Sequence, residues 1–263
     1  WSNIASQFSG ARAFDNWLAR SYGVESLPET DSFYSAFETY LSKKNGKLQQ
    51  LRRKYVDPID DAVGDAIKNG VTMDDINDAI QARGAAERNA AIAEINEDMP
   101  DGGSGLTNAE ADAKLRELQA SGKMRYINRV VRLHDRLRDE TQRIMVQDGL
   151  VSAETMADWK RKYPNYTPYK GWAPTGDMAV DGQEDPHADY GSYDKGSPVY
   201  SRVAGLRAKP VKAAKGRSSQ AANSLYNMIA DAEMFLEMGQ RNQIALQLDK
   251  TYQNDPEAFE GLL

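Results

Sequence analysis

The chain has 263 residues, 40% of them apolar and 27% charged, with a formal net charge of -6 and a mean hydropathy of -0.68. That length can bury a sizeable core in one domain or two, and so polar a composition suits an elongated helical body at least as well as a compact globule. No run is long and apolar enough to cross a bilayer as a helix, the acidic balance excludes a chain that is basic throughout, and the absence of cysteine excludes disulfides, zinc-thiolate sites and thiol nucleophiles. Because the chain opens at Trp1, it is expected to be an excerpt of something longer, with any targeting segment out of view.

In chain order, Ile4, Phe8, Ala11, Phe14, Trp17 and Leu18 recur at helical spacing and predict an amphipathic helix over 1-22. Pro28 breaks it, Asp31 is placed to cap a second helix through Phe33, Phe37, Tyr40 and Leu41, and Asn45-Gly46 is read as its end. Leu48, Leu51 and Tyr55 make a third helix. Asp57-Pro58 reads as an N-cap with proline in the first turn of a fourth, which runs to Asn69-Gly70. Thr72 with Asp75 is a capping-box variant opening a helix that carries Ile76, Ile80, Ile92 and Ile95 and is expected to end near Asp98.

Within that helix Ala82, Ala85, Ala86, Ala90, Ala91 and Ala93 leave little side-chain bulk, which favours close helix approach, and Arg83 and Glu87 stand at the spacing of an ion pair. Pro100, Gly102, Gly103 and Gly105 then stop the helix, and Thr107 with Glu110 opens the next. A phosphate-binding loop would need Lys-Ser or Lys-Thr after its last glycine, where this chain has Leu106-Thr107. A nucleophile elbow would need glycine two residues either side of Ser104, and Leu106 fails it. The stretch 99-106 is therefore expected to be a hinge between two helices, its glycines taking positive φ.

A short helix over 109-118 closes at Ser121-Gly122, and a long one runs from Lys123 to Asp148 with Gly149 as its stop. Ile127, Val130, Val131, His134, Leu137, Thr141, Ile144 and Met145 share one face of it. His134 near Asp135 and Asp139 invites a metal reading, but His and Asp five residues apart on a helix share a ligand poorly, so a packed, hydrogen-bonded histidine is expected. Arg125, Arg129, Arg132, Arg136, Arg138 and Arg143 are read mostly as a solvated face paired with Asp135, Asp139 and Glu140. Ser152 caps a further helix to Tyr163.

From 163 to 216 the chain holds six prolines and no 3.6-residue periodicity, so an irregular strap is expected. Tyr163, Tyr166, Tyr169 and Trp172 recur every third residue around Pro164 and Pro168, the repeat of polyproline II. The four rings either pin the strap to the helical body or offer a stacking surface. Lys195, Arg202, Arg207, Lys209, Lys212, Lys215 and Arg217 form a run without a single acid, a candidate for nucleic-acid phosphates, anionic headgroups or an acidic protein surface. Ser218 or Ser219 is expected to start the last long helix, with Leu225, Ile229, Ala232, Leu236 and Leu246 along one side.

These elements predict an all-α fold, an elongated multi-helix bundle with a long irregular Pro/Gly/Tyr-rich strap between the penultimate and last helices. The expected divisions are N-terminal helices over 1-70, a central helical body over 71-163, the basic and aromatic strap over 164-217, and a C-terminal helix over 218-263.

Three blocks, 82-115 (ARGAAERNAAIAEINEDMPDGGSGLTNAEADAKL), 149-171 (GLVSAETMADWKRKYPNYTPYKG) and 216-257 (GRSSQAANSLYNMIADAEMFLEMGQRNQIALQLDKTYQNDPE), resemble the large polyvalent protein-associated segments of giant phage and mobile-element proteins. Two departures stand out: Ala82-Arg83-Gly84 replaces the bulkier Ala-Arg-His of that pattern, and Tyr169-Lys170 stands where Leu-Arg or Leu-Lys is commoner. The resemblance implies a segment within proteins of thousands of residues, some packaged in virions and ejected with the genome, as are giant virion RNA polymerases of short-tailed phages. It carries no active site across, so no catalytic residue, metal or cofactor is expected.

The function expected on that basis is non-enzymatic: a structural segment of a large phage virion protein, ejected into the host and serving assembly or the DNA-ejection conduit. Its place would be the virion and then the host envelope or cytoplasm, and its partners other copies of itself, other ejection proteins, or phage DNA. The alternative is a nucleic-acid-binding accessory segment that protects or handles entering DNA through the basic run and the aromatic strap. An enzyme such as a peptidoglycan lyase would be a third class, although no carboxylate lies in a recognisable lyase signature.

Overall fold

The computed structural model describes residues 2-29, 31-170, 216-221 and 223-254. Among them the chain is all-helical: α1 (Ser2–Ser21), α2 (Phe33–Leu51), a π-helical turn (Arg52–Val56), α3 (Asp57–Lys68), α4 (Met73–Ala93), α5 (Asn108–Ala120), α6 (Met124–Gln147), α7 (Ala153–Lys162) and α8 (Ser224–Asn254). Among the described residues no helix is long and apolar enough to cross a membrane.

Several boundaries are set by local chemistry and fall where the sequence places them. The Thr72 and Thr107 side chains accept from Asp75 N–H and Glu110 N–H, and each partner carboxylate bonds back to the cap's own N–H, completing two capping boxes. Ser152 Oγ accepts from Thr155 N–H to open α7. Gly149 (φ +73°) and Gly122 (φ +72°) adopt the left-handed conformation at which helices stop.

Other boundaries differ. The chain does not break at Asn45-Gly46 or at Asp57-Pro58. Instead α2 passes through the π turn into α3 with Leu51, Val56 and Asp57 all helical. Asp57 N–H bonds to Arg52 O, five residues back, and this wider turn makes room for the ring of Pro58, which cannot donate to the preceding turn. Helix α2 is capped by Ser32, not Asp31. Asp15 of α1 reaches across to accept from Ser32 Oγ at 2.5 Å, Phe33 N–H at 2.9 Å and Tyr34 N–H at 3.0 Å. Helix α4 ends at Ala93, so Ile95 is 64% exposed and not part of its apolar face.

The main core draws on α2, α3, α4, α5, α6 and α8, through Leu51, Ile59, Ile76, Leu118, Ile127 and Leu225 among others. Helix α8 packs on α6, α2 and α4, α3 on α6, and α1 on α2. The stripe of α6 is buried along its length, from Ile127 through His134 and Leu137 to Met145. A second cluster, Met145, Leu150, Val151, Met156 and Phe235, lies under α7. Between α4 and α5 the contact is made by Ala82, Ala85 and Ala111, the close approach the small residues favour.

Candidate functional site

A set of buried polar groups lies along α4, where three stretches far apart in sequence meet. Asn77, Gln81, Gly84 and Asn89 are all buried on that helix.

Gln81 Nε2 donates to Ala221 O at 2.7 Å and Ser224 Oγ at 2.9 Å, while Asn77 Oδ1 accepts from Leu225 N–H at 3.4 Å. Asn77 thus accepts from one of the otherwise unpaired N–H groups in the first turn of α8, while Gln81 holds the segment that leads into it. The last helix consequently starts at Ser224, not at Ser218 or Ser219. Asn89 organises the glycine connection. Its Nδ2 faces Asp101 Oδ1 at 2.9 Å, Leu106 O at 2.8 Å and Asn108 Oδ1 at 3.0 Å, and its Oδ1 accepts from Ser104 N–H at 2.7 Å.

The glycines predicted for this connection behave differently from one another. Gly102 (φ +95°) and Gly105 (φ +88°) take positive φ. Gly103 does not, but a Cβ there would lie 2.5 Å from Ile92, and one on Gly105 would lie 2.1 Å from Ser219 O. The loop is joined to 216-220 by a bridge between Ser104 and Arg217, with Arg217 N–H donating to Gly103 O at 3.0 Å. Of the basic run, Lys195, Arg202, Arg207, Lys209, Lys212 and Lys215 lie outside the described residues. Arg217 lies within them, and its guanidinium donates to Ser219 O and Gln220 O.

On the other side of α4, the segment 163-170 is held by charged groups. Both Glu87 oxygens accept from Asn165 N–H at 2.9 and 3.1 Å, Arg83 donates to Asn165 Oδ1 at 3.0 Å, and Arg138 to Pro164 O at 3.0 Å. Arg83 therefore pairs with Asp135 at 3.0 Å and not with Glu87 as its spacing predicted. Tyr163 closes α7 as its C-cap, and Tyr166 N–H turns back to Tyr163 O at 3.2 Å, so polyproline II, which has no internal hydrogen bonds, is not what the first two rings adopt. Tyr163 and Tyr166 are half-buried and Tyr169 is buried, its hydroxyl donating to Gln81 O at 2.8 Å with Arg88 over its ring. Trp172 lies outside the described residues. Next to Tyr169, the buried Lys170 ammonium pairs with the buried Asp231 carboxylate of α8.

His134 is packed at the centre of this region. Its Nδ1 faces Asp135 Oδ1 at 3.4 Å and its Nε2 faces Thr167 Oγ1 at 3.5 Å. Burial lowers its pKa, opposed in part by Asp135, so the neutral ring donates from Nδ1 and accepts at Nε2, through long and weak bonds. Burial alone would raise Asp135, but the hydrogen bonds of His134 and Arg83 and the charges of Arg83 and Arg138 outweigh it and hold the carboxyl at about 2. Glu87 is raised, because its burial outweighs the bonds from Asn165. Burial likewise raises the Tyr169 phenol. Among the described residues no three His, Cys, Asp or Glu side chains are grouped to hold a metal.

The charged groups here are turned toward the chain's own 164-169 backbone and side chains, so the chemistry of the junction is attachment of that segment. Sequence reasoning missed Asn77, Gln81 and Asn89, and gave Glu87 the wrong partner. The available signal was asparagine in the interior of an alanine-rich helix, where it is a poor helix former and so marks a side chain bonded elsewhere.

No protein family matches the chain, and no curated protein or solved structure is significantly similar to it.

Proposed function

We propose that the chain is a non-enzymatic helical segment of a large phage virion protein, carried in the particle and ejected into the host with the genome, where it serves assembly or the DNA-ejection conduit. The observation that carries this reading is the meeting of Gly84 and Tyr169. These are the two places where the chain departs from the pattern of large polyvalent protein-associated segments, one toward a smaller residue and one toward a larger. A Cβ on Gly84 would lie 2.8 Å from the Tyr169 hydroxyl, so the smaller residue leaves the room that the larger one fills. The three blocks that carry the resemblance also touch one another: the first meets the second at Gly84 and Asn165 and the third at Gly105 and Ser219, and the second meets the third at Lys170 and Asp231.

A structural role accords with how the junction's polar groups are used, since they fasten segments of one chain together. Mass spectrometry of purified phage particles encoding this chain is expected to find its peptides at a fixed copy number, and particles lacking them would overturn the reading. A zymogram on cell-wall material is expected to stay dark, and a cleared band would move the chain to the lyase class.

A further inference from the structure

Helix α6 turns two unlike faces outward and inward. Its buried face is apolar around His134. Of its eight exposed residues, five are Arg125, Arg129, Arg132, Arg136 and Arg143, two are the amides Asn128 and Gln147, and one is an acid, Asp139. At 3.6 residues per turn the five arginines fall within an arc of about 60° and extend about 27 Å along the helix, which makes a guanidinium ridge, flanked by the exposed Asp139 between Arg136 and Arg143, on a protein of net charge -6.

The acids expected to neutralise this face do so only in part. Asp135 is taken by Arg83 and Arg138, and Asp139 by Arg138, which is not on the ridge. Glu140 pairs with Arg143 at 2.7 Å, and Arg129 meets Asp65 of α3 at 3.2 Å across a half-exposed gap, where an ion pair is worth little. Arg125 lies over the ring of Tyr126. Arg132 and Arg136 make no hydrogen bond or ion pair among the described residues, and Arg136 lines an open groove of about 550 Å³ in which the cations Lys54, Arg136 and Arg143 outnumber the carboxylates Asp139 and Glu140.

We propose that this ridge is a sequence-independent docking surface for the phosphate backbone of a nucleic-acid duplex. All five cations are arginine, whose planar fork binds phosphate through two parallel hydrogen bonds. The ridge length corresponds to about eight base pairs measured along the axis of a duplex. A single strand is held by exposed aromatic rings on which bases stack, and Tyr126 and Tyr55 are instead covered by Arg125 and Lys54. A membrane-surface helix inserts apolar side chains, and the exposed large hydrophobics of the described residues, Tyr22, Val24, Ile67, Ile95 and Tyr226, are all on other segments. A stable protein interface has an apolar centre, which the exposed face of α6 lacks. The proposal does not depend on the virion reading, since it concerns the purified chain, and either can fail without the other.

The test is fluorescence anisotropy of the whole chain with a labelled random-sequence duplex of about two helical turns, titrated between about 50 and 200 mM salt. Binding is expected to weaken steeply with salt. Arg132→Gln with Arg136→Gln is expected to lower affinity at least about tenfold at the low end and to reduce the slope of log affinity against log salt by about two. The two side chains are exposed and make no hydrogen bond or ion pair among the described residues, so the melting temperature should not move. If that variant is unstable, Arg132→Lys with Arg136→Lys keeps the charges and should keep the slope while losing affinity. No duplex binding at low salt would overturn the proposal, as would an unchanged slope in the glutamine variant, which would assign binding to another surface such as the run from Lys195 to Arg217. Tighter binding to a single strand, to phosphatidylglycerol vesicles or to an acidic protein would overturn it equally.

Discussion

The hydroxyl of Tyr169 donates to the carbonyl of Gln81 at 2.8 Å, and the ring reaches it only because Gly84, three residues along the same helix, has no side chain. A glycine inside a helix ordinarily costs about 0.5–1 kcal/mol relative to alanine. Here it leaves room for the segment that follows α7 to lie against α4.

Gly84→Ala reverses the usual sign for that reason. A Cβ would lie 2.8 Å from the Tyr169 hydroxyl and 2.9 Å from Asn165 O, and the second contact is backbone, which cannot swing aside. The variant is expected to lose about 1–3 kcal/mol by overpacking, measured by urea unfolding. A gain in stability would show that Tyr169 does not dock there.

Asn89→Ala is expected to cost about 1–3 kcal/mol, because it leaves Ser104 N–H buried without its acceptor, while Leu106 O keeps the Ser104 hydroxyl as a donor. Asn89→Asp is expected to be worse near neutral pH, since a carboxylate would face Asp101 and Leu106 O where an NH2 group now donates, and to recover as pH falls and that carboxylate protonates. An aspartate variant as stable as wild type would rule out this organisation of the loop.

Removing one member of the buried pair Lys170 and Asp231 takes a buried counter-charge from the other, so Lys170→Met or Asp231→Leu alone is expected to cost about 3–5 kcal/mol. The double variant should be close to neutral. A double variant no better than the singles would show that the pair is not coupled.

Stability is expected to fall as the medium is acidified from neutral. His134 has a pKa lowered from 6.5 by burial, so the unfolded chain binds its proton first, and stability is lost as pH drops below about 6.5 at no more than about 1.4 kcal/mol per pH unit. Asp135, held at about 2 against an ordinary 3.8, contributes stability that is present above 3.8 and lost as pH falls toward 2. Glu87 acts in the opposite sense: its raised pKa makes the folded chain take up a proton more readily, which offsets part of the loss as pH falls toward 4.5. His134→Gln should flatten the slope of stability against pH just below 6.5, and an unchanged slope would remove His134 from the account.

Much of the helical framework was legible because its determinants act within three or four residues. Thr72 with Asp75, Thr107 with Glu110, Ser152 and Gly149 each close or open a helix using their own neighbours, and the stripe on α6 repeats at the helical period along the whole element. Asp57-Pro58 marked the start of α3, with Pro58 in its first turn, but not that a π turn leads into it without a non-helical cap, because that depends on the helical residues 51-56 before it.

The polar junction was not legible, because its partners are far apart in the chain. Asp15 lies 17 residues from Ser32, Asn165 lies 78 from Glu87, and Leu225 lies 148 from Asn77. A local pattern reports what a residue's near neighbours can satisfy, and these groups are satisfied by remote ones. The order of helices, a close helix approach at the alanines of α4 and the buried face of α6 were determined by the sequence read alone, whereas the choice of α5 as the partner of those alanines was not. Where α2 and α8 begin, which amides are buried and which arginines remain without acids were decided only when packing brought α1, α4, α6 and α8 together, since a buried hydrogen-bonding group must find a partner wherever the fold supplies one.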